Sequence, residues 1–228
     1  AGFRVKRALH YAVNAYFAEA PEGTGQAIFD QSEALLARPE VEYCHPELVR
    51  PRARKQIFAA QWHLKRTTVG GIDIDAHANV EAAHETTRGA GIVVAVIDDG
   101  VDVDHPEFAT AGKIVAPRDV TRKSDDARPK YADDDHGTAC AGVAVASGVR
   151  GASGVAPEAR LLPIRFASNL GSQDEADAFA WAADHGADVI SCSWGPSDGV
   201  WYRPRDPRSR APLPASTKLA IDYATNQG

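Results

Sequence analysis

Apolar positions along this chain fall into short runs separated by turn residues, a pattern that predicts strands alternating with helices. The clearest strand is GIVVAVIDDG (91–100), a continuous apolar run typical of a strand buried on both faces of a parallel sheet. Two further runs, ARLLPIRFAS (159–168) and ADVISCSWG (187–195), also predict buried strands.

Helical patterns lie before and between these strands. HANVEAAHETTRG (77–89) predicts a short helix, and SQDEADAFAWAADHG (172–186) has an apolar stripe that stops before a glycine. HGTACAGVAVASG (136–148) has the small residues of a close-packed helix, and PASTKLAIDYATNQG (214–228) predicts a last one. This alternation predicts an α/β fold with a doubly wound parallel sheet.

The first fifty residues have a different pattern. YAVNAYFAE (11–19) alternates as a strand does, QAIFDQSEALLARPE (26–40) has helical spacing, and VEYCHPELV (41–49) is extended. Strand, helix and strand predict a small α+β unit over residues 1–50.

Basic residues are concentrated just after this unit. Residues 51–60 combine Arg and Lys with a proline and show no clean periodicity, so they predict an exposed linker. Residues 61–228 then form the α/β domain.

Composition excludes several classes of function. The net charge of −6 argues against general nucleic-acid binding, since phosphate contacts need a basic face. No apolar run is long enough to cross a bilayer, so we expect a soluble protein without membrane contact, either cytoplasmic or secreted after processing. The three cysteines cannot all pair with one another, and their spacing fits no zinc site. Because the chain has no methionine, we expect that Ala1 is not a translation start.

Polar residues with catalytic chemistry stand at the ends of the predicted strands. Asp98 and Asp99 close the first strand, His136 opens the Gly- and Ala-rich helix, and ISCSWGP (190–196) combines an extended edge with a turn. The carboxyl ends of strands are where functional residues gather in doubly wound sheets.

The ordered set VIDDG, DDDHGTACAG, GVAPEARLLPIR and ISCSWGP resembles the subtilisin-like serine proteases. The DDG and SWGP variants, with FAAQWHL at the start of the domain, resemble the kexin/furin branch of that family. The resemblance implies that His136 is the general base and Asp98 the carboxylate that orients it. A serine hydroxyl is a weak nucleophile until an imidazole takes its proton, which explains why the pattern needs both residues. A catalytic metal in the acid-rich clusters is disfavoured, because no HExxH helix is present.

The resemblance also implies substrate contacts, for a peptide or protein substrate that adds as an antiparallel strand. Asp99 and Asp133 would line the pocket for the residue before the primary one and favour Lys or Arg there; the alternative is a solvated acidic loop. The substrate-binding edge would comprise Ser191, Ser193, Trp194 and Gly195, with Asp198 adding charge to the primary pocket. For Trp194, ordinary aromatic packing is the alternative.

The nucleophile of this family, in a GTS motif, has no counterpart in these 228 residues, and neither does the Asn that stabilises the oxyanion. We expect both on a complementary carboxyl-terminal fragment of the same protease, because the sheet of this chain alone is incomplete and its edge would be exposed. The alternative is a catalytically inactive relative that binds peptides or regulates another protein.

By the same resemblance, residues 1–50 correspond to an inhibitory prodomain, and Arg54–Lys55 is a dibasic processing site that cleft acids would accept. Tyr202–Arg210 is a second basic stretch that could be cleaved. No cofactor is expected for catalysis. A structural calcium ion is implied, with Glu107 as a ligand, although Lys55 stands where the family has an acid and VASGVRGASG (145–154) lacks the usual Asn.

Overall fold

The computed structural model describes residues 3–25, 27–46, 52–54, 64, 66–149, 152–196 and 213–227. Its elements, in chain order, are β1 (Arg4–Ala8), β2 (Tyr16–Glu19), α1 (Ala27–Leu36), β3 (Arg52–Arg54), β4 (Thr67–Val69), β5 (Ile72–Ile74), α2 (Val80–His84), β6 (Val93–Asp98), β7 (Arg118–Asp119), α3 (His136–Val145), β8 (Arg160–Arg165), α4 (Gln173–Asp184), β9 (Val189–Ser191), β10 (Trp194–Pro196) and α5 (Ala215–Gln227). None of the helices in these ranges is long and apolar enough to span a membrane.

A four-stranded parallel sheet forms the centre of the fold, in the order β7-β8-β6-β9. All six residues of β6 are buried, as expected for a central strand covered on both faces. The predicted α/β fold with a parallel sheet is therefore confirmed. Within the described residues, β9 is one edge of this sheet.

Helices cover both faces of β6, because successive side chains of a strand point to opposite faces. One face packs Val93, Ala95 and Ile97 against Ala178 and Ala182 of α4. The other face packs Val94 and Val96 against Ala141 and Val145 of α3. The small residues of both helices allow them to approach the sheet closely.

The amino-terminal unit packs against the helices α4 and α5. Leu9 and Tyr11, which follow β1, share a buried cluster with Ala176, Ala180 and Ala220 of α4 and α5. The hydroxyl of Tyr223 donates to Asp184, whose other carboxylate oxygen lies 2.8 Å from His10 Nε2. The unit is thus held by both apolar and polar contacts.

The order of elements in this unit differs from the prediction. The structure has a hairpin, β1 with β2, followed by α1, instead of strand, helix and strand. Only part of the predicted strand 11–19 is extended, because β2 finds its partner in β1, which was not predicted. Residues 41–46 contain no strand, and 47–49 lie outside the described residues.

Part of the predicted linker has regular structure. Arg52–Arg54 forms β3, which pairs antiparallel with β10: Arg54 lies opposite Trp194, Ala53 opposite Gly195 and Arg52 opposite Pro196. The remainder of the predicted linker lies outside the described residues. The expectation of irregular structure is therefore wrong for these three residues, which pair with β10. Their exposure stays a prediction.

Candidate active site

Asp98 and His136 are in direct contact, although 38 positions separate them in sequence. Asp98 is the last residue of β6, and its side chain is 1% exposed. Its Oδ1 accepts the Asp99 backbone N–H at 2.8 Å and lies 2.9 Å from Nδ1 of His136. Among the described residues, Asp98 Oδ2 has no hydrogen-bond partner. A buried carboxylate at Nδ1 selects the tautomer with hydrogen on Nδ1, which leaves Nε2 as the basic nitrogen.

His136 is the first residue of α3 and is buried together with Asp98. One turn later along the helix, Cys140 places its Sγ 3.7 Å from Nδ1 and 3.9 Å from Nε2 of the imidazole. Burial raises the pKa of this thiol to about 11, so it is neutral near pH 7 and is no candidate for the nucleophile.

Ligand atoms of Asp98, His136 and Cys140 all lie within 4.8 Å of one another. Carboxylate, imidazole and sulfur can bind a transition metal. However, the short contact between Asp98 and His136 already accounts for two of the three groups as a carboxylate–imidazole pair. We therefore interpret these groups as a carboxylate–imidazole pair with a neighbouring thiol, not as a metal site.

Asp99 links the tip of β6 to the start of α3. Its two carboxylate oxygens accept the backbone N–H groups of Gly137 at 2.6 Å and His136 at 3.3 Å. These are two of the N–H groups that a helix leaves without a partner in its first turn, and a negative charge there is favourable. Sequence reasoning missed this role, because nothing in VIDDG indicates a helix that begins 37 positions later. Its substrate contact stays a prediction.

Gly137 lies so close to the end of β6 that no side chain fits there. A Cβ built at Gly137 would lie 2.3 Å from the carbonyl oxygen of Gly100, 2.8 Å from Cβ of Asp98 and 2.9 Å from Oδ1 of Asp99. Two of these neighbours belong to the strand tip itself. Glycine therefore allows α3 to start directly against Asp98 and Asp99.

The acids that precede His136 have different environments. Asp133 is exposed, so a substrate side chain can reach it. Asp134 is buried, and its Oδ2 lies 2.8 Å from Nη2 of Arg165. Sequence reasoning missed Arg165. The signal was an arginine inside the apolar run LLPIRF, since arginine is rarely buried unless it is paired.

The predicted substrate edge is formed by the end of β9 and by β10. Ser191 closes β9, while Trp194 and Gly195 belong to β10, the strand that pairs with Arg52–Arg54. A hydrogen bond from Ser193 lowers the pKa of the Cys140 thiol against the larger effect of burial, so Ser193 lies next to the His136 helix. Asp198 and Lys55 lie outside the described residues, and the side chain of Arg54 is not described.

Trp194 is oriented towards the core of the domain. Its indole N–H donates to the Ile97 carbonyl, and its ring centroid lies 5.2 Å from that of Phe166. Both contacts are ones that ordinary packing would make. The pocket-wall role of Trp194 stays a prediction.

Glu107, the predicted calcium ligand, is buried and contacts the segment that follows α3. Its oxygens accept the N–H groups of Val149 at 3.0 Å and Ala152 at 3.4 Å, and its charge favours protonation of Lys113, although burial lowers the pKa of that amine. Calcium needs six to eight oxygen ligands, and N–H groups cannot serve. Among the described residues, no group of three His, Cys, Asp or Glu side chains that could hold a metal ion includes Glu107. The ligand role stays a prediction.

Glu107→Gln is expected to weaken calcium binding, measured by titration of the protein with calcium. An unchanged calcium affinity would refute the ligand role.

Comparisons with known proteins identify the family of this chain. The family model described as the subtilase family matches residues 89–228. The whole chain is 62% identical to the calcium-dependent protease of Trichormus variabilis and covers 34% of that protein. It is 38% identical over 145 residues to kexin of Candida albicans, a match to 62% of this chain and 15% of kexin.

A solved structure is similar as well. The crystal structure of the Aeromonas sobria serine protease in complex with the chaperone ORF2 matches with a TM-score of 0.50 and 29% identity, over 60% of this chain and 25% of that chain. The chain spans about a third of the length of its relatives at 62% identity. With its family model matched from residue 89 onwards and its parallel sheet in place, the chain belongs to the subtilase family.

Proposed function

We propose that this chain is part of a serine endopeptidase in which His136 takes the proton of a serine hydroxyl and Asp98 orients the imidazole. The observation that carries the proposal is the buried contact of 2.9 Å between Asp98 Oδ1 and His136 Nδ1. A carboxylate at Nδ1 also stabilises the imidazolium that forms when Nε2 accepts the serine proton. The same imidazolium then protonates the leaving amine.

The serine and the oxyanion donor must come from protein outside these 228 residues. We propose a complementary carboxyl-terminal segment, which supplies both groups and extends the sheet. The edge strand β9 supports this idea, because Val189 is 51% exposed there although it belongs to an apolar strand. An exposed sheet edge with apolar side chains is an aggregation hazard unless another segment covers it.

Residues 1–50 act, in this proposal, as an inhibitory prodomain that is attached through residues 51–60. The linker would occupy the substrate cleft. Its residues Arg52–Arg54 already pair antiparallel with β10, as a peptide substrate of this family would. Cleavage would follow this strand, at Arg54 or Lys55. A chain with this linker intact is therefore a zymogen-like form that processes itself.

Specificity for basic residues follows from the acids at the cleft. Asp133, which is exposed, would form a charge-assisted hydrogen bond with a Lys or Arg side chain that precedes the primary substrate residue. Asp99 is 1% exposed and holds two helix N–H groups, so it would contribute its negative charge from behind this pocket. The dibasic-processing endoprotease of Schizosaccharomyces pombe supports this choice only distantly, because it is 33% identical over 62% of this chain. The 62%-identical relative is named a calcium-dependent protease, and in this proposal a calcium ion would be structural, with no part in proton transfer.

Neutralising the two acids tests the function and its specificity together. In the full-length precursor, Asp99→Asn with Asp133→Asn is expected to slow cleavage after Arg54 or Lys55 at least tenfold, because one charge-assisted bond and a second negative charge are lost. Asn at position 99 can still accept one of the two helix N–H groups through its amide oxygen, which limits damage to α3. The rate is followed by gel electrophoresis and mass spectrometry of the released amino-terminal fragment.

Asp125→Asn is the matched control, since Asp125 is an exposed acid that pairs with Arg118. It is expected to process at the wild-type rate. An unchanged rate in the double variant would refute the specificity for basic residues. The proposed endopeptidase activity would be refuted if the wild-type precursor cleaved neither itself nor an added peptide with an Arg-Lys site.

A further inference from the structure

A buried arginine at the end of β8 contacts the loop that leads into His136. Arg165, the last residue of β8, is 1% exposed and lies opposite Asp98 in the parallel pairing of β8 with β6. Its Nη1 donates to Asp119 at 3.2 Å and its Nη2 donates to Asp134 at 2.8 Å. Both carboxylates are themselves buried. One guanidinium therefore faces two acids in the interior of the domain.

Stability alone does not account for this cluster. Ionised groups are costly to bury, and well-packed apolar residues of similar volume are often as stable as a buried ion pair or more so. Here the cost is not fully offset, because Nε of Arg165 has no hydrogen-bond partner among the described residues. Two carboxylates and one guanidinium also leave a net negative charge. Such a group is better explained by the geometry that it imposes.

That geometry concerns the loop that leads into His136. The Oδ2 atom of Asp134 accepts the backbone N–H groups of Lys130 at 3.0 Å and Tyr131 at 3.2 Å, in addition to the guanidinium. The guanidinium also lies 5.8 Å from the ring centroid of Tyr131. Asp134 thus gathers residues 130–134 into a tight turn and ties this turn to the end of β8. His136 follows two residues later.

We propose that Arg165 is a positioning residue for His136, acting through Asp134. β6 presents Asp98 to the imidazole, and the neighbouring strand β8 uses Arg165 to hold the segment that carries it. Of the three consecutive acids before His136, Asp134 is then committed to this role, whereas Asp133 and Asp135 are exposed. The inference rests on the proposed function and adds a residue to its machinery.

The second acid of the cluster provides an internal comparison. Asp119 is as buried as Asp134 and contacts the same guanidinium, but its other oxygen holds the Arg122 N–H at 2.8 Å in a turn after β7. Neutralising either acid disturbs the charge of the cluster. Only the change at Asp134 loosens the segment before His136.

The test compares Asp134→Asn with Asp119→Asn in the assembled protease, using a peptide with an Arg-Lys cleavage site. Asp134→Asn and Arg165→Met are expected to lower kcat by roughly 10² with KM within twofold, the size of effect produced by a misplacement of about 1 Å. Asp119→Asn and the exposed control Arg160→Met, on the same strand, are expected to keep kcat within about threefold of the wild type. Active-site titration corrects each value for unfolded enzyme.

Equal losses of kcat in the two Asn variants, or no loss in Asp134→Asn, would overturn the inference. If Arg165→Met does not fold, the pair of Asn variants still decides, with Arg165→Lys expected to recover part of the activity. The proposed function fails separately: it is refuted if the wild type cleaves no peptide or if His136→Ala is fully active.

Discussion

Replacing Asp98 with Asn is expected to lower kcat about 10⁴-fold while leaving KM within a few-fold of the wild type. The Asn side chain fits the same space at the tip of β6, but it turns an amide towards Nδ1 where the carboxylate now lies at 2.9 Å. The imidazole then loses the partner that selects its tautomer and stabilises its charged form. The loss falls on the chemical step, since the carboxylate of Asp98 contacts the imidazole that takes the serine proton.

The matched control for this variant is Asp188→Asn. Asp188 also binds β6, but at its opposite end, where Oδ2 accepts the Val93 N–H at 2.8 Å. Steady-state kinetics on an Arg-Lys peptide should show nearly wild-type kcat for this control. A loss smaller than tenfold in Asp98→Asn, with the protein folded, would mean that Asp98 does not orient the base.

Substituting Gly137 with Ala is expected to destabilise the protein by about 1–3 kcal/mol or more and to lower activity as well. The added methyl group would meet backbone and side-chain atoms of the β6 tip at 2.3 to 2.9 Å, so either α3 or the tip must move. Because His136 and Asp98 sit on the two sides of this contact, any such movement separates them. Thermal unfolding and kcat measure the two effects.

Gly142→Ala provides the matched control on the same helix. A Cβ at Gly142 meets no atom within 4 Å, so the substitution replaces a helix-breaking residue without a clash. It is expected to stabilise the protein by roughly 0.5–1 kcal/mol. If Gly137→Ala were as stable and active as Gly142→Ala, the close approach of α3 to the strand tip would be wrong.

The parts of the fold that could be predicted are those with strong local patterns. β6, β8 and the helices α3, α4 and α5 all have continuous apolar runs or clear periodicity. β7 has two residues and β1 is largely exposed, so neither has an apolar pattern that sequence reasoning can detect. β3 is a strand only because β10 offers it a partner, a property of the assembled domain.

The candidate site divides in the same way. The order of the sequence motifs indicated Asp98 and His136, and the structure places their side chains in contact. The cap that Asp99 provides and the bridge that Arg165 makes both depend on residues more than thirty positions away, which no local pattern encodes. Such contacts appear only once the strands are aligned in the sheet.

Reaction with a fluorophosphonate probe tests the central claim most directly, because the probe labels only a serine whose proton a neighbouring base removes. In the assembled protease we expect one labelled serine, on the segment outside these 228 residues, and labelling at least a thousandfold slower in His136→Ala. Labelling that is equally fast in His136→Ala, or absent from every polypeptide of the wild type, would contradict the account.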